Sequence, residues 1–148
     1  MQIREALPCE IPAVVDMAQS AYEWATGKKD FNKSVAAGSW IRYIHTGDGV
    51  VFVVFDSGGV PAGFLCGYKA RNIDTGHLVA QMWHWYTEHR ARGYGGQLLK
   101  RFEAWAKAKG CEFVCTRCMI DGKSDMAKRV LEFTGYKTDG LMLTKAAK

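Results

Sequence analysis

Proline and long apolar stretches are scarce in this chain. Only three prolines occur in 148 residues, all within the first 61, and no repeat, low-complexity tract or linker-like segment separates one part from another. A chain so composed folds as closely spaced elements. Its longest obvious apolar run, Val50 to Phe55, is far short of the ~20 residues that a membrane helix requires. The start, Met1-Gln2-Ile3-Arg4-Glu5, has no apolar secretory region, and the five cysteines are an odd number. Together they predict reduced thiols in a soluble cytoplasmic protein rather than a disulfide framework. Acidic residues are the minority, 15 against 20 Lys and Arg, which leaves a net charge of +5 and favours an anionic partner. Charge alone does not choose between a phosphorylated cofactor, a nucleic acid and a membrane surface.

What is present suffices for one domain, residues 1–148, because a chain of this length buries roughly 68–70% of its unfolded surface without metal or disulfide staples. Ile3 to Ala6 alternates weakly, as a short strand does. Ile11, Val14, Val15, Ala18, Ala21 and Tyr22 then recur at helical spacing. The polar run Thr26-Gly27-Lys28-Lys29-Asp30 ends that helix, and a second carries Val35, Trp40, Ile41 and Ile44 before Gly47 and Gly49. Val50 to Phe55, the turn Asp56-Ser57-Gly58-Gly59 and Ala62 to Tyr68 read as a hairpin. His77 to Tyr86 is apolar on both alternating faces, as a central strand is. A helix from Gly93 to Gly110, a strand from Cys111 to Met119, a helix from Ser124 to Thr134 and a β pair around Tyr136 and Leu141 to Thr144 follow. The predicted order is β-α-α-β-β-β-α-β-α-β-β, an α/β (α+β) fold on a mixed, mostly antiparallel sheet of six to seven strands flanked by about four helices.

Between the central strand and the long helix stands Arg90-Ala91-Arg92-Gly93-Tyr94-Gly95-Gly96. Three glycines let the backbone approach a ligand, and the helix that follows adds the positive end of its dipole. The string can serve as an anion cradle or simply as a turn that starts a helix.

Arg90, Gly93 and Gly95 stand at the defining positions of the R/Q-x-x-G-x-G/A signature, and the chain resembles the GNAT-type N-acetyltransferase superfamily along essentially its whole length. The element order before the motif, the Glu10-Ile11 helix opening, the strand upstream, the helix from Lys100 to Gly110 and the segment Leu131-Glu132-Phe133-Thr134-Gly135-Tyr136 agree with that family. The resemblance implies an acyl-CoA N-acyltransferase fold with acetyl-CoA as co-substrate and no metal. Its pyrophosphate would sit on the backbone of Ala91 to Gly96, with Arg90 and Arg92 facing the same phosphorylated cofactor, and its pantetheine arm would run like an added strand along Trp83, His84 and Trp85. Ser124 stands where the family often has a cofactor-contacting Asn, and doubles as a helix cap. Lys128 and Arg129 lie in the helix associated with the adenine end.

An amine attacking the thioester must lose a proton, and family bases lie on the face that alternation gives to His77, Val79, Gln81, Trp83 and Trp85. Val79 fills the commonest glutamate slot. His77, with an unperturbed pKa of ~6.5, is the first candidate base, and Gln81 could hold a relaying water; equally, His77 could merely begin the strand. His84, on the opposite face, reads as a core histidine. Leu131 occupies the position of the family's general-acid tyrosine. These two departures leave a rival reading open, a catalytically weak module that binds acyl-CoA for regulation or assembly.

Two other signals are set aside. Cys111-x-x-x-Cys115-x-x-Cys118 has the spacing of a radical-enzyme iron–sulfur site, but it falls in a strand that sends its cysteines to both faces. Five tryptophans with dispersed basic residues read as core rather than as a nucleic-acid platform. The expected partners are acetyl-CoA and an unidentified amine, with Glu23, Asp30 and Asp74 as loop carboxylates that could attract a cationic acceptor. Neither nucleic acid nor membrane is expected, and a homodimer is left open.

Overall fold

The computed structural model describes residues 1–117, 125–140 and 143–147. The chain divides into two compact units, Met1–Arg117 and Cys118–Lys148. In the first unit β1 (Gln2–Glu5) precedes α1 (Ile11–Thr26) and α2 (Lys33–Thr46). Strands β2 (Gly49–Phe55), β3 (Pro61–Arg71) and β4 (Leu78–Thr87) follow, then α3 (Gly95–Ala108) and β5 (Phe113–Thr116). The second unit contains α4 (Asp125–Phe133).

Local chemistry fixes the ends of the helices. Glu10, just before α1, accepts both Arg4 guanidinium nitrogens at 2.8 and 2.6 Å and the Leu7 amide at 2.8 Å. The Arg4 hydrogen bonds and then the Leu7 amide pull its pKa down to about 2. Gly27, at φ 68°, closes α1 by donating its amide to Glu23. The Asn32 side chain caps α2 by accepting from the Val35 amide at 3.1 Å, and Gly47, at φ 76°, ends it.

The sheet has the order β1-β2-β3-β4-β5, antiparallel throughout except for the parallel β4–β5 pair. On one face Val51, Val53 and Phe55 of β2 and Phe64 and Cys66 of β3 form a core with Ile11, Val14, Val15 and Ala18 of α1 and Trp40 of α2. Burial pushes the Cys66 thiol up to about 12 and leaves it unreactive. The other face is covered by α3, which buries Leu98, Leu99, Phe102 and Ala106. None of the described helices is long and apolar enough to cross a membrane.

The predicted order holds through its first nine elements, but the strand count is lower than expected. Five strands form the sheet among the described residues, not six or seven. Tyr136 lies outside any strand, where Asp139 and Gly140, two residue types depleted in strands, follow it, and Leu141 and Met142 lie outside the described residues. Strand β4 also starts one residue late. The Asn72 side-chain oxygen accepts from the Asp74 and Thr75 amides while the Asn72 backbone amide donates to the His77 carbonyl, so His77 belongs to the turn. Cys111 likewise precedes β5 instead of opening it, and Cys118 is outside the described residues.

Candidate active site

Strand β4 is regular only up to Met82. Gly67 of β3 faces Met82 and the preceding residue, Cys66, faces His84, so Trp83 is an extra residue in a β-bulge. The parallel ladder to β5 stops at the same place, at Met82 and Thr116. Among the described residues, the segment from Trp83 to Thr87 therefore pairs with β3 alone. An extended ligand with amide groups can add to such an edge as a strand does.

The bulge corrects the expected alternation. Gln81 faces Tyr68, which stacks on Tyr43 of α2 at 5.0 Å. Trp83 stays on that side, 6.3 Å from the Tyr68 ring, and His84 joins it against Trp40 and Phe64, at 5.8 and 6.0 Å. Trp85 goes to the α3 side, where its indole donates to the Gly95 carbonyl at 3.1 Å. The face read from the sequence as His77, Val79, Gln81, Trp83 and Trp85 is thus broken after Trp83. The bulky Trp85 braces the start of α3.

Burial, and then the charge of Arg117, push the His84 pKa down to about 4, so the ring is neutral near pH 7. An unfolded chain with an ordinary histidine near 6.5 takes up a proton that the folded chain refuses between those values. Stability is therefore expected to fall as pH drops from about 6.5 towards 4, by at most about 1.4 kcal/mol per pH unit from this group. Urea midpoints at pH 7 and pH 5 check this, and His84→Gln should flatten the difference.

The loop after β4 makes a short 3-10 turn at His89–Ala91 and enters α3. Gly93 sits at φ 95°, a conformation in which side-chain-bearing residues are strained. Tyr94, at the N-cap, supplies no side-chain cap. The amides of Gly95, Gly96 and Gln97 are thus first-turn donors with neither an intrahelical acceptor nor a cap, at the positive end of the helix dipole. They form an anion-binding arrangement whose donors point out of the helix end.

Arg90 has a different setting from the one expected. Its guanidinium pairs with Glu88 at 2.6 Å, with the Asp56 carboxylate and with the Pro61 carbonyl at 2.8 Å. Asp56 in turn accepts the Gly58 and Val60 amides, each at 2.9 Å. Its hydrogen bonds, first from Val60 and then from Arg90, hold the Asp56 carboxyl below the usual range. Arg90 is therefore a strut between the β2–β3 turn and the glycine loop, a role the sequence did not reveal. Ala91 is buried beneath the loop, and Arg92 is exposed.

His77 is not brought together with these groups. Its Nδ1 pairs with the Glu112 carboxylate, and its ring meets Phe113 edge-on at 5.4 Å. Six strand positions separate it from Trp83, about 20 Å at the rise of a β-strand. Gln81, two positions from Trp83, is the nearer polar side chain, and its amide donates to the Met82 carbonyl at 3.4 Å.

In the second unit Lys128 forms an i,i+4 pair with Glu132 at 3.8 Å on α4, and Leu131 is buried. Ser124 lies outside the described residues. Among the described residues, no group of three or more His, Cys, Asp or Glu side chains is placed to hold a metal ion.

Residues 11–124 match the family model described as "Acetyltransferase (GNAT) family". No curated protein matches the sequence. Among solved structures, the chain is similar to a "Putative acetyl transferase from Pyrococcus furiosus", at TM-score 0.75 and 17% identity over 98% of each chain. It is also similar to glucosamine-6-phosphate N-acetyltransferase from Arabidopsis thaliana, at TM-score 0.74 and 14% identity over 99% of this chain and 98% of that one. AAC(6')-Iy, solved with the bisubstrate analogue CoA-S-monomethyl-acetylneamine, superposes at TM-score 0.74 and 14% identity over 99% and 97% of the two chains. At such identities the structural likeness speaks for the fold alone, and it is the family match over residues 11–124 that completes the assignment: this chain belongs to the GNAT acetyltransferase family.

Proposed function

We propose that the protein transfers the acetyl group of acetyl-CoA to a primary amine by direct attack in a ternary complex. The observation that carries this reading is the adjacency of two backbone surfaces without partners among the described residues, the edge of β4 beyond the bulge and the uncapped first turn of α3. They suit the two ends of one ligand. Trp83, His84 and Trp85 would pair with the amides of the pantetheine arm. Gly93, Tyr94, Gly95 and Gly96, with the exposed Arg92, would receive the pyrophosphate, while Arg90 holds the loop from behind. Ser124 and Lys128 remain further candidates for the cofactor from the second unit.

Holding the amine beside the thioester supplies most of the acceleration. The leaving thiolate, with an ordinary thiol pKa near 8.5, needs little help from an acid, so Leu131 at the tyrosine position does not prevent turnover. The acceptor ammonium first gives its proton to water oriented by Gln81, and the free amine then attacks, since His77 is tied to Glu112 at the far end of the strand. A chain without a strong base at the bulge should show kcat/KM rising about tenfold per pH unit below the acceptor's own pKa, where the free amine is the minor species. Gln81→Leu should lower kcat about tenfold, and His77→Gln should leave it within about twofold. A pH-independent rate in the wild type that becomes pH-dependent in His77→Gln would return the base role to His77.

Calorimetric titration with acetyl-CoA, CoA and an unrelated nucleotide, followed by thiol release against an amine panel, tests the whole reading. Binding without thiol release would instead identify an acyl-CoA-binding module, and the absence of binding would exclude both.

A further inference from the structure

A cavity of about 250 Å³ opens at the end of α3 away from the glycine loop. All the residues that line it belong to the first unit. Glu5 comes from the end of β1, Ile44 from the last turn of α2, Val50 and Val51 from β2, and Trp105 and Lys109 from the end of α3. The 14 residues of α3 set it about 20 Å from the glycine loop at the rise of a helix. Val50 and Val51 are buried, Ile44 and Trp105 half-buried, and Glu5 and Lys109 exposed. The interior is therefore apolar and the mouth charged.

The two charges at the mouth are opposite, yet Glu5 and Lys109 form no ion pair with each other or with any other described residue. Arg4, beside Glu5 in sequence, does not neutralise it, because its guanidinium donates to the Glu10 carboxylate and to the Glu5 backbone carbonyl. The Lys109 ammonium lies against the C-terminal end of α2: a Cβ on Gly47 would stand 3.5 Å from its Nζ. The negative end of the α2 dipole favours a cation there, and the three ammonium donors have no hydrogen-bond acceptor among the described residues. The Trp105 indole N–H has none either.

A ligand of one charge sign would meet a like charge at this mouth, Lys109 for a cation and Glu5 for an anion. A molecule carrying both signs meets a partner for each. The volume lies below the ~300–1,000 Å³ of pockets for drug-sized ligands, which suits a single amino acid rather than a cofactor or a peptide. We infer that this cavity binds a free α-amino acid with an apolar side chain. Its carboxylate pairs with Lys109, its ammonium pairs with Glu5, and its side chain packs on Ile44, Val50, Val51 and Trp105. The site is separate from the proposed acetyl-transfer site and does not depend on it.

Calorimetric titration of the full chain with leucine, leucinamide, 4-methylpentanoate and glycine tests this. Leucine is expected to bind about tenfold or more tighter than each of the others. Leucinamide lacks the carboxylate and 4-methylpentanoate the ammonium, while glycine lacks the apolar side chain. Lys109→Met should abolish the preference for leucine over leucinamide, and Glu5→Gln the preference for leucine over 4-methylpentanoate, with acetyl-CoA affinity unchanged in both. Leucine is itself an amine, and these variants separate this cavity from an acceptor site on β4. Absence of leucine binding, equal binding of the four compounds, or a preference that survives in either folded variant overturns the assignment. Failure of acetyl-CoA to bind would remove the transferase reading and leave the leucine result standing.

Discussion

Phe102→Ala is expected to destabilise the protein by about 3–5 kcal/mol, the usual cost of emptying a fully enclosed aromatic site. For a chain of this size that corresponds to a melting point lower by about 10 °C. The Phe102 side chain is wholly buried on α3, stacked on Trp105 at 5.5 Å. It packs into the space that Gly67 of β3 leaves: a Cβ on Gly67 would come within 2.5 Å of both the Phe102 ring and the Gln81 carbonyl oxygen. Helix, glycine and bulge are therefore one packing unit, since Gly67 pairs with Met82 at the step where the register shifts. Gly67→Ala should cost about 1–3 kcal/mol by overpacking. Because both substitutions act on one contact, the double variant should be measurably less unstable than the sum of the two. Strict additivity in chemical denaturation would show that Phe102 is not what fills the space beside Gly67.

Much of this arrangement is legible in the sequence, and what is not legible has physical reasons. The helical spacing of Ile11, Val14, Val15 and Ala18 marks the buried face of α1, and Gly27 and Gly47 end their helices where a left-handed residue is needed. Arg90 to Gly96 announces itself because glycines cluster between a strand and a helix. The bulge does not, since a run such as Met82-Trp83-His84-Trp85 looks the same whether or not one residue is extra. Only the partner strand, through Cys66 and Gly67, shows that it is. Partners distant in sequence are hidden for the same reason. Asp56 reaches Arg90 across 34 positions, and Arg117 meets Trp83 across the same separation. His77 was misplaced because its aromatic character and following apolar residues resemble the beginning of a strand, whereas the Asn72 side chain extends the turn through it.

The glycine loop gives the largest expected effect on activity. Gly93→Val should raise KM for acetyl-CoA by about tenfold to a hundredfold while changing kcat much less, because it displaces binding amides and leaves the acceptor side of the sheet untouched. Gly93 lies at φ 95° between two fixed points. On one side Arg90 is fastened to Asp56, Glu88 and Pro61; on the other the Trp85 indole holds the Gly95 carbonyl. Hydrogen bonds from the Arg92 amide to His89 and from the Tyr94 amide to Ala91, both 3.1 Å, tighten the segment further. A β-branched residue costs about 1–2 kcal/mol in the left-handed region and can escape it only by moving the chain between those anchors. The first-turn amides of α3 lie on that moving side, so strain in the backbone would become misalignment at the proposed phosphate site. Gly96→Ala provides the contrast: its φ is not positive and an added Cβ meets nothing within 4 Å, so its melting point should match the wild type. Unchanged acetyl-CoA affinity in a folded Gly93→Val would remove this loop from the phosphate site and, with it, half of the surface on which the transferase reading stands.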